Sequence, residues 1–366
     1  MTVVALLIAT AIPLLFLYLV YTLDLYRTGA FRHIITCFVW GIAAFFIATL
    51  LNPIFINFGW FDHNTTVRFA APVVEEILKA LFLIYLVRKP TFTYFVDGAI
   101  YGFSVGIGFA ILENYQYVLG HPEAAMSVAI GRVLSTNLMH ASASAMVGIA
   151  LGLARFQRYT GRIVYLCLGW TLAMGLHITF NNLVTRLSSG LLLLYAMGAG
   201  FGGAAVIAMA IKRGLVEEKI WIEENLGMAD RVTSGEAAVV HRLDDLEEIL
   251  KPLAEQFGPT KASAIERFLL VQARLGIMRK MLEKLPDEKM RQAVSIEMDN
   301  LRSEMDEVRR SVGAYTMLYL RHIFPPEVSP IWLRLEKIIP ESATGRQQKT
   351  ALDLWAVLEQ RTKKEP

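Results

Sequence analysis

Seven stretches of this 366-residue chain are apolar over about the length needed to cross a bilayer: 3–23, 34–56, 67–87, 96–118, 128–153, 163–184 and 190–211. Crossing ~30 Å of hydrocarbon takes about 20 helical residues. The backbone groups of such a segment must be satisfied internally. The succession therefore predicts an all-α, polytopic membrane protein with a seven-helix bundle. Composition agrees, since 54% of the chain is hydrophobic and its mean hydropathy is positive. A soluble protein of this length is rarely so apolar.

The loops alternate in charge. Arg27 and Arg32, then Arg88 and Lys89, then Arg155, Arg158 and Arg162, then Lys212 and Arg213 follow the first, third, fifth and seventh runs. Of lysines and arginines, the other loops carry only Arg186. By the positive-inside rule the N-terminus lies outside and the C-terminal region is cytoplasmic. Met1 to Val20 has no basic region ahead of its apolar run, which predicts a retained helix in place of a cleaved signal. Cys37 and Cys167 both fall in apolar runs, without metal-ligand spacing, and read as packing residues.

The composition changes after Lys212, dividing the chain into a membrane domain, 1–213, and a charged helical domain, 214–366. Phe268, Val271, Leu275, Met278, Leu282 and Leu285 recur at spacings of three and four. Pro286-Asp287 breaks the pattern, and Val294, Met298, Leu301, Met305, Val308, Val312, Tyr315 and Tyr319 take up a second register. Two heptad-like helices joined by a tight turn predict an antiparallel hairpin or coiled-coil dimer over 263–320. A cytoplasmic partner or self-association could use it. Shorter amphipathic pieces near Leu243–Leu250, Ile331–Ile339 and Leu352–Leu358 are expected to pack on it.

Ionisable residues interrupt four of the runs. Glu75, Glu76 and Lys79 sit in the third, Glu113 in the fourth, His140 in the fifth and His177 in the sixth, with Asn181 one turn beyond. Such residues are expensive in hydrocarbon and mark functional sites by default. At ~1.5 Å per residue, Glu76 and His177 fall roughly 12–14 Å below the outer ends of their spans. Glu113 is roughly 8 Å down and His140 a little deeper. A bundle can gather them into one cavity. Taken singly, each has a bland explanation. His140 could hydrogen-bond a neighbouring helix, Glu113 could pair with Arg132 or Arg186, and Glu75 with Lys79 has the spacing of an intrahelical ion pair.

Two carboxylates, two imidazoles and an amide suit activation of water, with one carboxylate as base and the other groups supporting an oxyanion. The same set could bind Zn²⁺ through Glu113, His140 and His177, with another glutamate as base. The pairing of Glu75 with Lys79 favours Glu76 as that base. The chain has no HExxH, GxSG or GxGD motif in a span and no P-loop or dinucleotide fingerprint. No basic-aromatic stretch points to nucleic acid.

Glu75-Glu76-Ile77-Leu78-Lys79, Phe109-Ala110-Ile111-Leu112-Glu113-Asn114, His140 and His177-Ile178-Thr179-Phe180-Asn181 occur in this order on successive runs. Over roughly 65–185 they resemble the PrsW family of intramembrane proteases, related to the CAAX-processing (CPBP/Rce1-like) proteases. The resemblance implies cleavage of a single-pass membrane protein, such as an anti-sigma factor, in or near the outer leaflet of a bacterial cytoplasmic membrane. It implies Glu76 or Glu75 as base, His177 and Asn181 as oxyanion support, and Glu113 and His140 completing a water or metal site. Where members carry Asp at the end of the last motif, this chain has Asn181. The resemblance leaves open whether zinc takes part. Two other readings of the same residues stand beside it, a proton- or metal-coupled transporter and an inactive scaffold. A transporter needs a polar path to the opposite half, where the sequence offers little beyond Asp97, Tyr101 and Ser104.

Overall fold

Every regular element in the described part of the computed structural model is a helix; the described residues are 1–24, 26, 31–184, 186, 189–226, 232, 240, 246–313 and 316–317. The chain runs through α1 (Thr2–Thr22), α2 (Phe31–Asn57), a single turn α3 (His63–Thr65), a π-turn (Thr66–Ala70) and α4 (Ala71–Leu86). It continues through α5 (Phe95–Gly120), α6 (Ala125–Leu134), α7 (Thr136–Ala154), α8 (Tyr159–Val184) and α9 (Ser189–Asn225). Then come α10 (Leu246–Phe257), α11 (Pro259–Lys284) and α12 (Glu288–Val312).

Five helical stretches are long and apolar enough to cross a membrane: Thr2–Thr22, Phe31–Asn57, Phe95–Gly120, Pro122–Ala154 and Tyr159–Val184. The chain is an all-α polytopic membrane protein. Leu7, Leu14, Phe46, Leu50, Leu168 and Leu172 stand exposed on α1, α2 and α8, an outward surface suited to hydrocarbon. The two other expected spans are also helical but differently built. Residues 67–87 divide between the π-turn and the 16-residue α4. Residues 190–211 form part of α9, which runs unbroken past Lys212 and Arg213 to Asn225. The expected fifth span is broken at Ser135, where φ −126° and ψ −81° leave the helical range. The Ser135 hydroxyl donates back to the Gly131 carbonyl at 2.6 Å, a local bond that competes with the helix ladder.

Helix α5 is buried almost all round, as a helix apolar on every face must be. It packs mainly on α7, with α2 and α1 on other sides. Gly98, Gly102 and Gly106 make that contact at backbone distance, the small-residue stripe that tight membrane packing uses. A Cβ at Gly102 would meet the Ser144 carbonyl and come within 2.7 Å of the Ala145 Cα. Backbone cannot swing aside as a side-chain tip can. Gly102→Leu is therefore expected to destabilise the bundle by about 1–3 kcal/mol or more. Thermal unfolding in detergent should show this, whereas Gly175→Leu, with open space around it, should leave the midpoint unchanged.

The C-terminal register materialises as an antiparallel hairpin within the chain. Phe268, Val271, Leu275 and Met278 on α11 and Val294, Met298, Leu301, Met305, Val308 and Val312 on α12 are buried. Asp287 caps α12 by accepting from the Met290 amide at 2.8 Å. Helix α11 also packs on α9, where Gly276 meets Ile222. The expected piece at Leu243–Leu250 is realised from Leu246 onward. Arg27, Tyr315, Tyr319 and the pieces at Ile331–Ile339 and Leu352–Leu358 lie outside the described residues. Cys37 is buried as expected, whereas Cys167 is exposed on the outward side of α8.

Candidate active site

The π-turn ahead of α4 sets the geometry of the site. Its wider winding disturbs the ladder just before the Glu75-Glu76 pair, a placement π-bulges often show at functional sites. The Val67 carbonyl there accepts from Asn181 Nδ2 at 3.0 Å, tying α8 to the start of α4.

Glu75 and Glu76 are neighbours in sequence but project about 100° apart on the helix. Glu76 is fully buried. Its Oε1 accepts from Lys79 Nζ at 2.9 Å and from His177 Nδ1 at 3.0 Å. Glu75 is partly exposed, with Oε1 accepting from Asn52 Nδ2 at 3.2 Å. The expected pairing of Glu75 with Lys79 is thus corrected. Spacings of three and four both fit an intrahelical pair, and the structure uses the three-residue one, Glu76–Lys79. Lys79 then reaches inward to His140 Nδ1 at 2.8 Å and lies 4.0 Å from the centre of the Phe109 ring. That leaves Glu75 as the carboxylate on the cavity side.

Each histidine gives a ring N–H to a glutamate, but through opposite nitrogens. Lys79 donates to His140 Nδ1, so His140 Nε2 carries the proton and donates to Glu113 Oε2 at 2.8 Å. His177 Nδ1 donates to Glu76, leaving its Nε2 as a lone pair 3.8 Å from Glu75 Oε2. The rings meet edge to face with centres 4.6 Å apart. Arg132, from α6, pairs with Glu113 Oε2 at 2.7 Å and donates from Nε to Asn114 Oδ1 at 2.9 Å. Of the two partners foreseen for Glu113, Arg132 is the one in place.

These groups border a cavity of about 700 Å³ whose walls include Glu75, Glu113, Arg132, His177 and Asn181. Asn52, Val67, His121 and Val184 surround it, all at the bundle end opposite the hairpin. Glu76 and His140 lie behind this wall, fully buried.

Donor atoms of Glu75, His140 and His177 lie within 4.8 Å of one another. Each imidazole gives its N–H to a glutamate, the arrangement that orients metal-ligating histidines. The His177 Nε2 lone pair faces Glu75, while the His140 Nδ1 lone pair accepts from Lys79, which would have to give way to a metal. Two His and one carboxylate with an open position suit Zn²⁺. The residues therefore fit a metal. The acid in that set is Glu75, where the sequence pointed to Glu113, because Glu113 is engaged behind His140 and by Arg132. Asn52 escaped sequence reading, although an amide before Pro53 in an apolar run was a signal. Arg132 was visible only as one of two possible partners.

Comparison with known proteins matches residues 29–218 to the family described as PrsW family intramembrane metalloprotease. The protein named Protease PrsW of Bacillus subtilis (strain 168) is 35% identical over 117 residues, 32% of this chain and 52% of its own length. The chain thus aligns with about half of that relative. Protease PrsW of Clostridioides difficile (strain 630) is 28% identical over 165 residues, 43% of this chain and 69% of its own. Protease PrsW of Shouchella clausii (strain KSM-K16) is 28% identical over 203 residues, 53% and 89% respectively. No solved structure matches.

Proposed function

Since the chain belongs to the PrsW family of intramembrane metalloproteases, we propose that it hydrolyses a peptide bond of a single-pass membrane protein at the cavity bordered by Glu75, Glu113 and His177. The observation that carries this reading is the linked cluster of two histidines and three glutamates, from four helices, of which Glu75, Glu113 and His177 line one cavity at a bundle end and Glu76 and His140 lie directly behind them. Arg88, Arg155, Arg158 and Arg162 gather at the other end. The positive-inside rule then directs the cavity outward and the hairpin to the cytoplasm of a bacterial inner membrane. Residues 1–213 act as the protease domain and 214–366 as a regulatory or interaction domain.

Glu75 is the group in contact with the reacting centre. Working on water alone it accepts the proton as general base; were a metal bound, it would serve as a ligand beside His140 and His177. A bound zinc would lower the pKa of its water and polarise the scissile carbonyl. Glu76 holds His177 in its tautomer, and Glu113 does the same for His140. Arg132 faces the cavity as the cation placed to stabilise developing negative charge.

The residues on which a transporter path would draw are held in place locally. Asp97 accepts from the Thr93 amide and hydroxyl at 2.6 and 2.8 Å, Ser104 donates to the Ile34 carbonyl at 2.8 Å, and Tyr101 meets His33 at 3.4 Å. These residues are engaged in local bonds.

The test is metal analysis of purified protein with cleavage of a reconstituted single-span substrate before and after chelation. Stoichiometric zinc is expected, lost in His177→Ala, with cleavage abolished by chelation and restored by metal. Cleavage that survives chelation would leave Glu75 as base in a metal-free site. Failure to cleave any single-span substrate would overturn the protease reading.

A further inference from the structure

A second cavity, of about 470 Å³, lies at the hairpin end of the bundle, far along the helices from the glutamates. It opens where α4 and α7 end and α8 begins, and the turn between α11 and α12 closes its other side. Its lining divides into two zones. Arg88, Arg155, Arg162 and Lys289 bring four cations to the lining, from four separate segments. Beyond them the wall is apolar, running along α7 and α8 past Leu151 and Leu166 to Trp170. From Arg162 to Trp170 the helix rises about 12 Å.

Arg155 is the most telling member. Only 7% of it is exposed. Its Nη1 donates to the Lys89 carbonyl at 3.0 Å and to the Phe92 carbonyl. Its Nε and Nη2 are buried without a hydrogen-bond partner, as is the indole N–H of Trp170. Asp97 attracts this guanidinium through space, while its own carboxylate accepts from Thr93. Arg88, Arg162 and Lys289 make no ion pair among the described residues. Asp287, the acid on the rim, caps α12. Buried donors left unmade are costly, and an anion would complete them. Free phosphate would satisfy the cations but leave the apolar wall uncovered.

We propose that this cavity binds one anionic phospholipid of the adjacent leaflet, its phosphate among Arg88, Arg155, Arg162 and Lys289 and an acyl chain along Leu151, Leu166 and Trp170. The lipid then lies between the membrane helices and the tip of the hairpin.

Native mass spectrometry of the full-length protein in mild detergent tests this, with phosphatidylglycerol, phosphatidylcholine of the same chains and glycerol phosphate as probes. One phosphatidylglycerol per protein is expected to be retained at concentrations where neither other probe is. The variant Arg88→Gln/Arg162→Gln/Lys289→Gln changes only exposed residues. It should bind phosphatidylglycerol more weakly by roughly fivefold for each cation removed. Equal retention of phosphatidylcholine would overturn the proposal, as would unchanged affinity in the variant. Glycerol phosphate bound as tightly as the lipid would also overturn it, showing an anion site without an acyl chain.

Discussion

Glu75→Gln is expected to fold as the parent does and to lose cleavage by at least ~10²-fold, the lower end of what a catalytic carboxylate contributes. Glu75 stands at the cavity wall, partly exposed, with Asn52 as its hydrogen-bond donor at 3.2 Å. Glutamine keeps an acceptor for that bond, so little stability depends on the charge. What it loses is the ability to take a proton or to bind a metal as an anion. Glu76→Gln is expected to behave differently, because Glu76 is fully buried and accepts from both Lys79 and His177. That change should lower stability as well as activity. The measurement pairs cleavage of a reconstituted single-span substrate with thermal unfolding in detergent. A Glu75→Gln protein that cleaves at the parental rate, beside a folded and inactive Glu76→Gln, would reverse the assignment.

Lys79→Ala is expected to destabilise the bundle by about 3–5 kcal/mol, the usual cost of removing one partner from a buried ion pair. Lys79 is 1% exposed and bridges Glu76 to His140 while lying over Phe109. Its removal leaves Glu76 as a buried charge with only His177 as donor, and frees His140 Nδ1. The double variant Lys79→Ala/Glu76→Gln removes the uncompensated charge and should recover much of the lost stability. It should remain impaired in cleavage, since His140 has lost the Lys79 donor at Nδ1 and His177 faces a neutral amide in place of the carboxylate. Unfolding midpoints of the two variants in detergent make the comparison. If Lys79→Ala unfolds with the parent, the pair contributes nothing to the fold.

Much of this architecture was legible in the chain. The runs at 3–23, 34–56, 96–118 and 163–184 appear as α1, α2, α5 and α8 with ends shifted by a few residues, because burial in lipid demands length and apolarity and little else. The hairpin was legible too, since Phe268, Val271, Leu275 and Met278 announce their face by spacing. The break at Ser135 was not, because a serine in an apolar run reads equally as a helix residue. Nor was the continuity of α9 through the change in composition after Lys212, which depends on packing against α11.

The sequence by itself determined that this is a helical membrane protein carrying glutamates and histidines at comparable depth on four spans. Solvation decides that much, since an unbroken apolar run of about 20 residues satisfies its backbone in hydrocarbon as a helix and each polar residue stands out against it. Only the tertiary structure decided which glutamate faces the cavity, which one Lys79 binds and which acid joins the histidines. The helix spacing permits Lys79 to meet either Glu75 or Glu76. A turn of about 100° between adjacent residues separates a buried carboxylate from a reactive one. The rotation of α4 against α2, α5, α7 and α8, locked by packing and by the Asn181–Val67 bond, makes the choice.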